Sequence, residues 1–342
     1  MIAPLFPGGG LARFPVFGPP PPRRLPLRPA CNQNDAFPLL ACAMPPDPGG
    51  LSHRAGRDAA AMSDLMERDR IAGPAWNGPW NGQCPACGGP GRGPDGRGFQ
   101  RCGGCGTLWV PARRGYEYDD AYPASRAHDD EAVAACKVRT FEAWCRELGI
   151  LLGGRNVLEI GFGGGQTLAW MRDKGARVSG VEPVEANRAA AIRAGIPKAN
   201  IRAGIGEFRQ DQFDLVVWLD AFEHETEPAA HLAALNRITG PGSRALLVLP
   251  VADSMSRRMM GRWWPHDIRD HWVFYSTRGL TRLWESYGWR VAATFHPGKY
   301  VSAKTIARHC EIKTRLPLAA LAPRDAAVWL NFGERGLVFE RL

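Results

Sequence analysis

Val157-Leu-Glu159-Ile-Gly161-Phe162-Gly163-Gly-Gly165-Gln-Thr167 is the stretch that decides the fold of this chain. A short apolar run passes into three glycines on alternate positions and then into residues of helical character, which reads as a strand, a tight turn and a helix N-terminus. Glycine lets backbone N–H groups approach a ligand closely at such a turn. The phase of the glycines separates two ligand classes. A dinucleotide fingerprint needs G-x-G-x-x-G, and counting from Gly161 puts Gln166 where its last glycine should stand. The spacing is instead E-x-G-x-G-x-G, led by Glu159, and a carboxylate there suits a cationic amino acid group better than a pyrophosphate.

Outward from this loop, short apolar runs alternate with helical ones. Asn156–Ile160, Arg177–Val181, 200–203, Phe213–Leu219 and 244–250 read as strands, with helices over 166–174, 184–194 and Pro228–Ile238 between them. After an insertion from Val251 to Ser276 come a helix over 277–287, a strand over Trp289–Phe295 and a last strand over 336–341. Strand and helix taking turns predicts an α/β fold with a doubly wound, mostly parallel seven-stranded sheet.

Open sheets of this kind bind ligands beyond the carboxyl ends of their strands. Glu182 lies there, seventeen residues after Gly165, where a carboxylate can hold both hydroxyls of a ribose. Together with Glu159, Gly161, Phe162, Gly163 and Gly165 it points to an adenosine-containing ligand with an ammonium group, namely S-adenosylmethionine. The competing reading of the two glutamates, solvated loop charges, fits their places at consecutive strand ends less well.

Three further motifs carry a family likeness. Asp220-Ala-Phe-Glu223-His224-Glu-Thr-Glu-Pro228 follows the fourth strand, His271-Trp-Val-Phe-Tyr275-Ser closes the insertion, and Gly288-Trp-Arg-Val291 leads the next strand. From Asn156 to about Phe295 the chain resembles the class I S-adenosylmethionine-dependent methyltransferases of the small-molecule type. The resemblance implies methyl transfer from S-adenosylmethionine, with Asp220 lining the pocket near the cofactor. His224 is the first choice for a general base and His271 the second, since an imidazole titrates near neutral pH and both follow strand or insertion segments facing the cleft. A helix cap or a loop clasp is the competing role for each histidine.

Ahead of this core, Cys84-Pro-Ala-Cys87 and Cys102-Gly-Gly-Cys105 form two C-x-x-C pairs fourteen residues apart, each followed by a glycine. Two tight turns of this kind deliver four thiolates to a tetrahedral ion, so a structural zinc with no open position is expected. Such a ribbon before such a core is similar to bacterial sugar and natural-product C-methyltransferases. Cys31, Cys42, Cys136, Cys145 and Cys310 lack partners of this kind and read as tail or small apolar residues.

The expected organisation is a Pro/Gly-rich tail over 1–62, a zinc ribbon over 76–112, a helical connector over 113–152 and the methyltransferase domain over 153–342. Thirteen prolines in the first fifty residues leave the tail without periodicity, and such a stretch cannot offset its ordering entropy. Met62, followed by the polar Ser-Asp-Leu-Met-Glu-Arg-Asp-Arg, reads as the true translation start. Cysteine usage suits a reducing compartment, hence a cytoplasmic protein, and no apolar run reaches the ~18–20 residues of a membrane span.

The net charge of +9 is spread along the chain rather than gathered into a block. The expected acceptor is accordingly a small molecule or sugar-like compound, not nucleic acid, and not a membrane. Two alternatives stand beside it: an RNA methyltransferase that grips nucleic acid with the ribbon, and a non-enzymatic zinc-ribbon interaction protein. Leu219-Asp220-Ala221-Phe222 is not the [DNS]-P-P-[YFW] sequence of exocyclic amino methylation, and no cysteine nucleophile for C5 chemistry lies between Leu151 and His309. The insertion, with Met255, Met259, Met260, Trp263, Trp264, Trp272, Phe274 and Tyr275, reads either as an aromatic lid or as core. Its Arg257, Arg258, Arg262 and Arg269 are matched to an anionic group on the acceptor.

Overall fold

The computed structural model describes residues 82–94, 98–110, 131–209, 212–268, 271–314, 316, 322–323 and 326–342. The 1–62 tail with Cys31 and Cys42, the start expected at Met62, positions 113–130 of the connector and Arg269 lie outside the described residues.

Three short strands come first: β1 (Gly91–Arg92), β2 (Gln100–Cys102) and β3 (Leu108–Trp109). Helix α1 (Glu131–Glu147) leads into the alternating core: β4 (Asn156–Ile160), α2 (Gln166–Asp173), β5 (Arg177–Val181), α3 (Glu185–Arg193) and β6 (Ile201–Arg202). Then follow β7 (Phe213–Leu219), α4 (Pro228–Ile238), β8 (Thr239–Pro250), α5 (Met255–Met260), β9 (Val273–Phe274), α6 (Thr277–Glu285) and β10 (Trp289–Phe295). An excursion of β11 (Lys299–Ser302), α7 (Ala303–Thr314) and β12 (Ala327–Leu330) precedes the last strand, β13 (Glu334–Arg341).

Seven strands form one sheet in the order β10-β13-β8-β7-β4-β5-β6. From β8 to β6 every pairing is parallel, while β13 runs antiparallel to both of its neighbours. The chain winds from β4 outward to β6 and then crosses back to β7 on the other side of β4. That reversal opens a crevice at the carboxyl ends of β4 and β7. The sheet is the doubly wound, mostly parallel one expected. Two strands are longer: β13 starts at Glu334, which pairs with Pro250, and β8 starts at Thr239, because Thr239 pairs with Phe213 and the Ser243 hydroxyl donates to the Phe213 carbonyl at 2.8 Å.

Alternate residues of the central strands enter two separate cores, as strand periodicity requires. Val157, Leu215, Val217 and Val248 join the cluster beneath α1 and α2, whereas Leu158, Val216, Trp218 and Leu247 join the cluster containing Trp264, Tyr275 and Trp284. The insertion divides between the two roles foreseen for it. Trp264, Trp272, Phe274 and Tyr275 are buried core, whereas Met255, Met259 and Trp263 are exposed.

Two features position the site. The ribbon strand β3 pairs antiparallel with β9 of the insertion, Leu108 opposite Phe274 and Trp109 opposite Val273. Helix α1 is more than a connector: its Trp144 indole donates to the Gly298 carbonyl at 2.8 Å, and its Thr140 hydroxyl accepts from the Tyr300 amide at 2.8 Å. The β11–β12 excursion is thereby held against α1.

Candidate active site

The glycine loop ends β4 and opens α2. Gly161, Gly163 and Gly165 all take positive φ, at 72°, 55° and 78°, which side chains with a Cβ rarely adopt. A Cβ on Gly161 would lie 2.6 Å from the Ala221 Cβ, and one on Gly165 2.9 Å from the Ala191 Cβ. At Gly163 a Cβ would meet nothing within 4 Å, so this is the open side of the loop. Phe162 faces the other way. Its ring packs over Gly180 of β5 and is buried, so Phe162 offers the crevice its backbone rather than its side chain.

Both glutamates lie at this loop. Glu182, just past β5, accepts from the Gly163 amide at 2.9 Å through Oε2 and from the Val184 amide at 3.1 Å through Oε1, with the Asn187 amide group at 3.2 Å. A carboxylate oxygen has two lone-pair sites, so Oε2 can take a further donor. Glu159 is 3% exposed. The Thr167 hydroxyl donates to its Oε1, while Oε2 has no hydrogen-bond partner among the described residues. Burial pushes the Glu159 carboxyl up to about 7, against the pull of Thr167 and Lys137. An orphaned buried carboxylate oxygen beside an open glycine loop matches an ammonium-bearing ligand.

Lys137 of α1 was not foreseen. Crowding by the surrounding protein lowers the pKa of this otherwise exposed lysine, while the charges of Asp220, Glu159 and Glu182 raise it and that of Lys299 lowers it, so its ammonium is within electrostatic reach of all four. Its only signal in the sequence is a polar position on an otherwise half-apolar helix.

Asp220 is the one non-glycine residue with positive φ among the described residues, at 49°. Its amide donates to the Val248 carbonyl at 2.8 Å, and its carboxylate receives the Lys299 ammonium at 2.7 Å. Lys299 also meets Glu334 at 3.0 Å, and Glu334 meets His266 Nε2 at 3.2 Å. Burial acts against the charge of Lys299, yet the two carboxylates hold its pKa above the ordinary lysine value. Burial likewise opposes Glu334, yet Lys299 and His266 hold it well below the carboxylate range. This network joins residues up to 114 positions apart and carries no local motif.

His224 and His271 come together, with ring centroids 4.7 Å apart at 73°. His271 is buried, its Nε2 lies 3.7 Å from the buried Glu223 carboxylate, and its ring stacks 6.3 Å from His266. The main chain closes this corner, since the Trp272 amide donates to the Glu223 carbonyl at 3.1 Å. Glu223 was also passed over by the sequence reading as a site residue, although it sits inside the quoted motif.

At the ribbon, the Sγ atoms of Cys84, Cys87, Cys102 and Cys105 all lie within 4.8 Å of one another. Cys84 and Cys105 are 3.6 Å apart and Cys87 and Cys102 3.5 Å, far beyond a disulfide bond and close to the ~3.8 Å edge of a tetrahedron with ~2.3 Å metal–sulfur bonds. Backbone amides of Ala86, Gly104 and Cys105 point at these sulfurs at 3.3–3.4 Å, which favours thiolates. A shared hydrogen bond pulls Cys105 down to about 4 and pushes Cys84 up. The donor set therefore fits a tetrahedral, thiophilic ion. Cys145, by contrast, is pushed up to about 12 by burial and is inert packing.

Residues 128–294 match a family model described as a methyltransferase domain. The ubiquinone biosynthesis O-methyltransferase of Methylobacterium sp. (strain 4-46) is 27% identical over 234 residues, 59% of this chain and 90% of that protein. The protein of the same name from Pseudomonas aeruginosa (strain UCBPP-PA14) is 33% identical over 103 residues, 28% of this chain and 44% of its own length. Among solved structures, magnesium protoporphyrin IX methyltransferase from Synechocystis PCC 6803, with bound SAH, aligns at TM-score 0.41 and 17% identity, over 63% of this chain and 86% of that one.

Proposed function

We propose that this chain is a class I S-adenosylmethionine-dependent methyltransferase and that it methylates a small-molecule or sugar-like acceptor held between the glycine loop and the His224–His271 corner. The observation that carries the reading is the convergence of an orphaned buried carboxylate (Glu159), a loop-bonded carboxylate (Glu182) and an open glycine turn at the switch point of the sheet.

When bound, S-adenosylmethionine supplies a methyl group already activated by its sulfonium. What remains for the chain is holding, aligning and drying. Glu159 would hold the cofactor's ammonium, Glu182 its ribose hydroxyls, and Lys137 its carboxylate. Asp220, locked by Lys299, would form the wall of the pocket rather than a base. His271 lies beside the Glu223 carboxylate, and His224 is only half-buried. An acceptor proton would therefore leave through His224, with His271 turned to support it. Four cysteines that all belong to the ribbon make its ion structural, and zinc is the ion that this donor set selects.

The small-molecule reading draws support from the names of the aligned relatives and from the spread of basic charge along the chain. Arg257 lies over the Trp264 ring at 5.9 Å and Arg262 over the Trp263 ring at 5.8 Å, as expected of cations packed on aromatic faces. Among the described residues no helix is long and apolar enough to cross a membrane. The test is transfer of radiolabelled methyl groups into a cell extract fractionated into metabolites, protein and RNA. Label in the metabolite fraction is the expected result. Label chiefly in RNA, lost in Arg257→Ala or Arg262→Ala and steeply salt-dependent, would replace the small acceptor by nucleic acid.

A further inference from the structure

We propose that the ion of the four-cysteine site positions the acceptor half of the active site, so that its loss stops methyl transfer while cofactor binding persists. The proposal rests on the methyltransferase reading and on the metal reading of the cysteines, and the test separates the three.

The ribbon is stitched to one short segment, residues 272–276. β3 pairs with β9, and the Val110 amide donates to the Trp272 carbonyl at 3.0 Å. The Ser276 hydroxyl donates to the carbonyl of Cys105, itself a ligand, at 2.6 Å, and the Ser276 amide donates to Thr107 Oγ1 at 3.2 Å. Thr107 Oγ1 in turn lies 3.3 Å from Cys105 Sγ, where its hydroxyl can donate to the thiolate. A Cβ on Gly279 would lie 3.1 Å from Cys105 Sγ, so the first turn of α6 rests on the ligand sulfur.

The same segment holds the site from its other edge. Trp272 bonds to the Glu223 carbonyl, His271 precedes it directly, and His271 packs 5.5 Å from Phe274. Phe274 meets Phe99 of the ribbon at 5.3 Å. Between the ion and His271 there are therefore one strand pairing and one aromatic contact.

The cofactor half is built differently. Cys84, Cys102, Cys105, Phe99 and Trp109 share a single core cluster with Phe222, Trp272 and Phe274. Phe162, Leu168 and Ala191, which pack beneath the glycine loop, belong to the other cluster, on the opposite face of the sheet. Between Cys84 and Cys105 the sequence offers little apolar surface beyond Ala86 and Phe99, so the turns that carry the ligands depend on the ion for order. Loss of the ion would therefore free 272–276 and let His271 and Glu223 drift, leaving Glu159, Glu182 and the glycine turn in place. A displacement of ~1 Å at a reacting group lowers rate by about 10²-fold.

The experiment uses the full chain, purified with its metal, then stripped with a thiophilic chelator and reloaded with zinc chloride. Elemental analysis, calorimetric titration with S-adenosylmethionine, amide hydrogen exchange and label transfer into extract are measured on each form. Stripping is expected to raise exchange at 272–276 by at least about tenfold and to lower transfer by about 10²-fold, with cofactor affinity changed by less than about threefold and zinc restoring both losses. Ser276→Ala, which keeps all four cysteines, should show the same pattern more weakly.

Unchanged exchange and transfer after stripping overturn the proposal, as does a stripped protein that loses cofactor affinity in step with transfer. A chain that purifies without metal defeats the metal reading and leaves the methyltransferase reading standing. A metal-loaded chain that binds no S-adenosylmethionine defeats the latter instead.

Discussion

Glu159 shows how one side chain sets a measurable pH dependence. Its carboxyl sits at about 7 in the folded chain against 4.5 as a free group, because burial disfavours its charge. Between these two values the folded chain holds a proton that the unfolded chain has released, so this group's contribution to stability falls as pH rises from 4.5 to about 7. Binding runs the other way. An ammonium requires the carboxylate, so cofactor affinity should rise from pH 6 to pH 8 with proton release, measurable by calorimetry in buffers of different ionisation enthalpy. Glu159→Gln should flatten that rise. Lys299 gives a second test at this scale: Lys299→Met leaves Glu334, 5% exposed, with His266 and the Phe332 amide but without its lysine, and should lower unfolding free energy by about 3 kcal/mol in urea denaturation. Of this network the sequence reading named Asp220 alone. Glu159 and Glu182 stand at strand ends that periodicity reveals, whereas Lys299, Glu334 and His266 meet only after β10 and β13 have paired.

At the scale of elements, the strands were readable where they are buried on both faces and the helices where one face is apolar. β7, α4 and β10 have the bounds that the pattern suggests. The excursion of β11, α7 and β12 was not read, because its strands are half-exposed and lack alternation. The two-residue β9 was hidden for a different reason: its partner, β3, lies 165 residues earlier and belongs to the ribbon. Ser276 tests the joint between them. It caps α6 by accepting from the Gly279 amide at 2.9 Å while donating to the Cys105 carbonyl. Ser276→Ala should cost about 1 kcal/mol in thermal or urea unfolding. Gly165→Ala probes the other joint, since a Cβ there meets Ala191 and a φ of 78°. It should weaken cofactor binding by more than tenfold through displacement of the loop, read by calorimetry.

Over the whole molecule, the division of labour follows the two faces of one sheet. The face beneath α1 and α2 supports the glycine loop, and the face bearing the ribbon supports the histidine corner, with the crevice where the strand order reverses. The cofactor class was legible because a glycine phase and two acids are local in sequence. The acceptor was not, because the His224–His271 corner proposed to hold it is assembled from segments far apart in sequence. The claim on which everything else depends is that Glu159, Glu182 and the glycine loop hold S-adenosylmethionine. Calorimetric titration of wild type and Glu182→Ala with S-adenosylmethionine, and of wild type with NADH, tests it most directly. Binding of S-adenosylmethionine that weakens by about 1.5–3 kcal/mol in the variant is the predicted result, from the loss of charge-assisted hydrogen bonds. Equal affinity in the two proteins, or tight NADH binding with no S-adenosylmethionine signal, would contradict it.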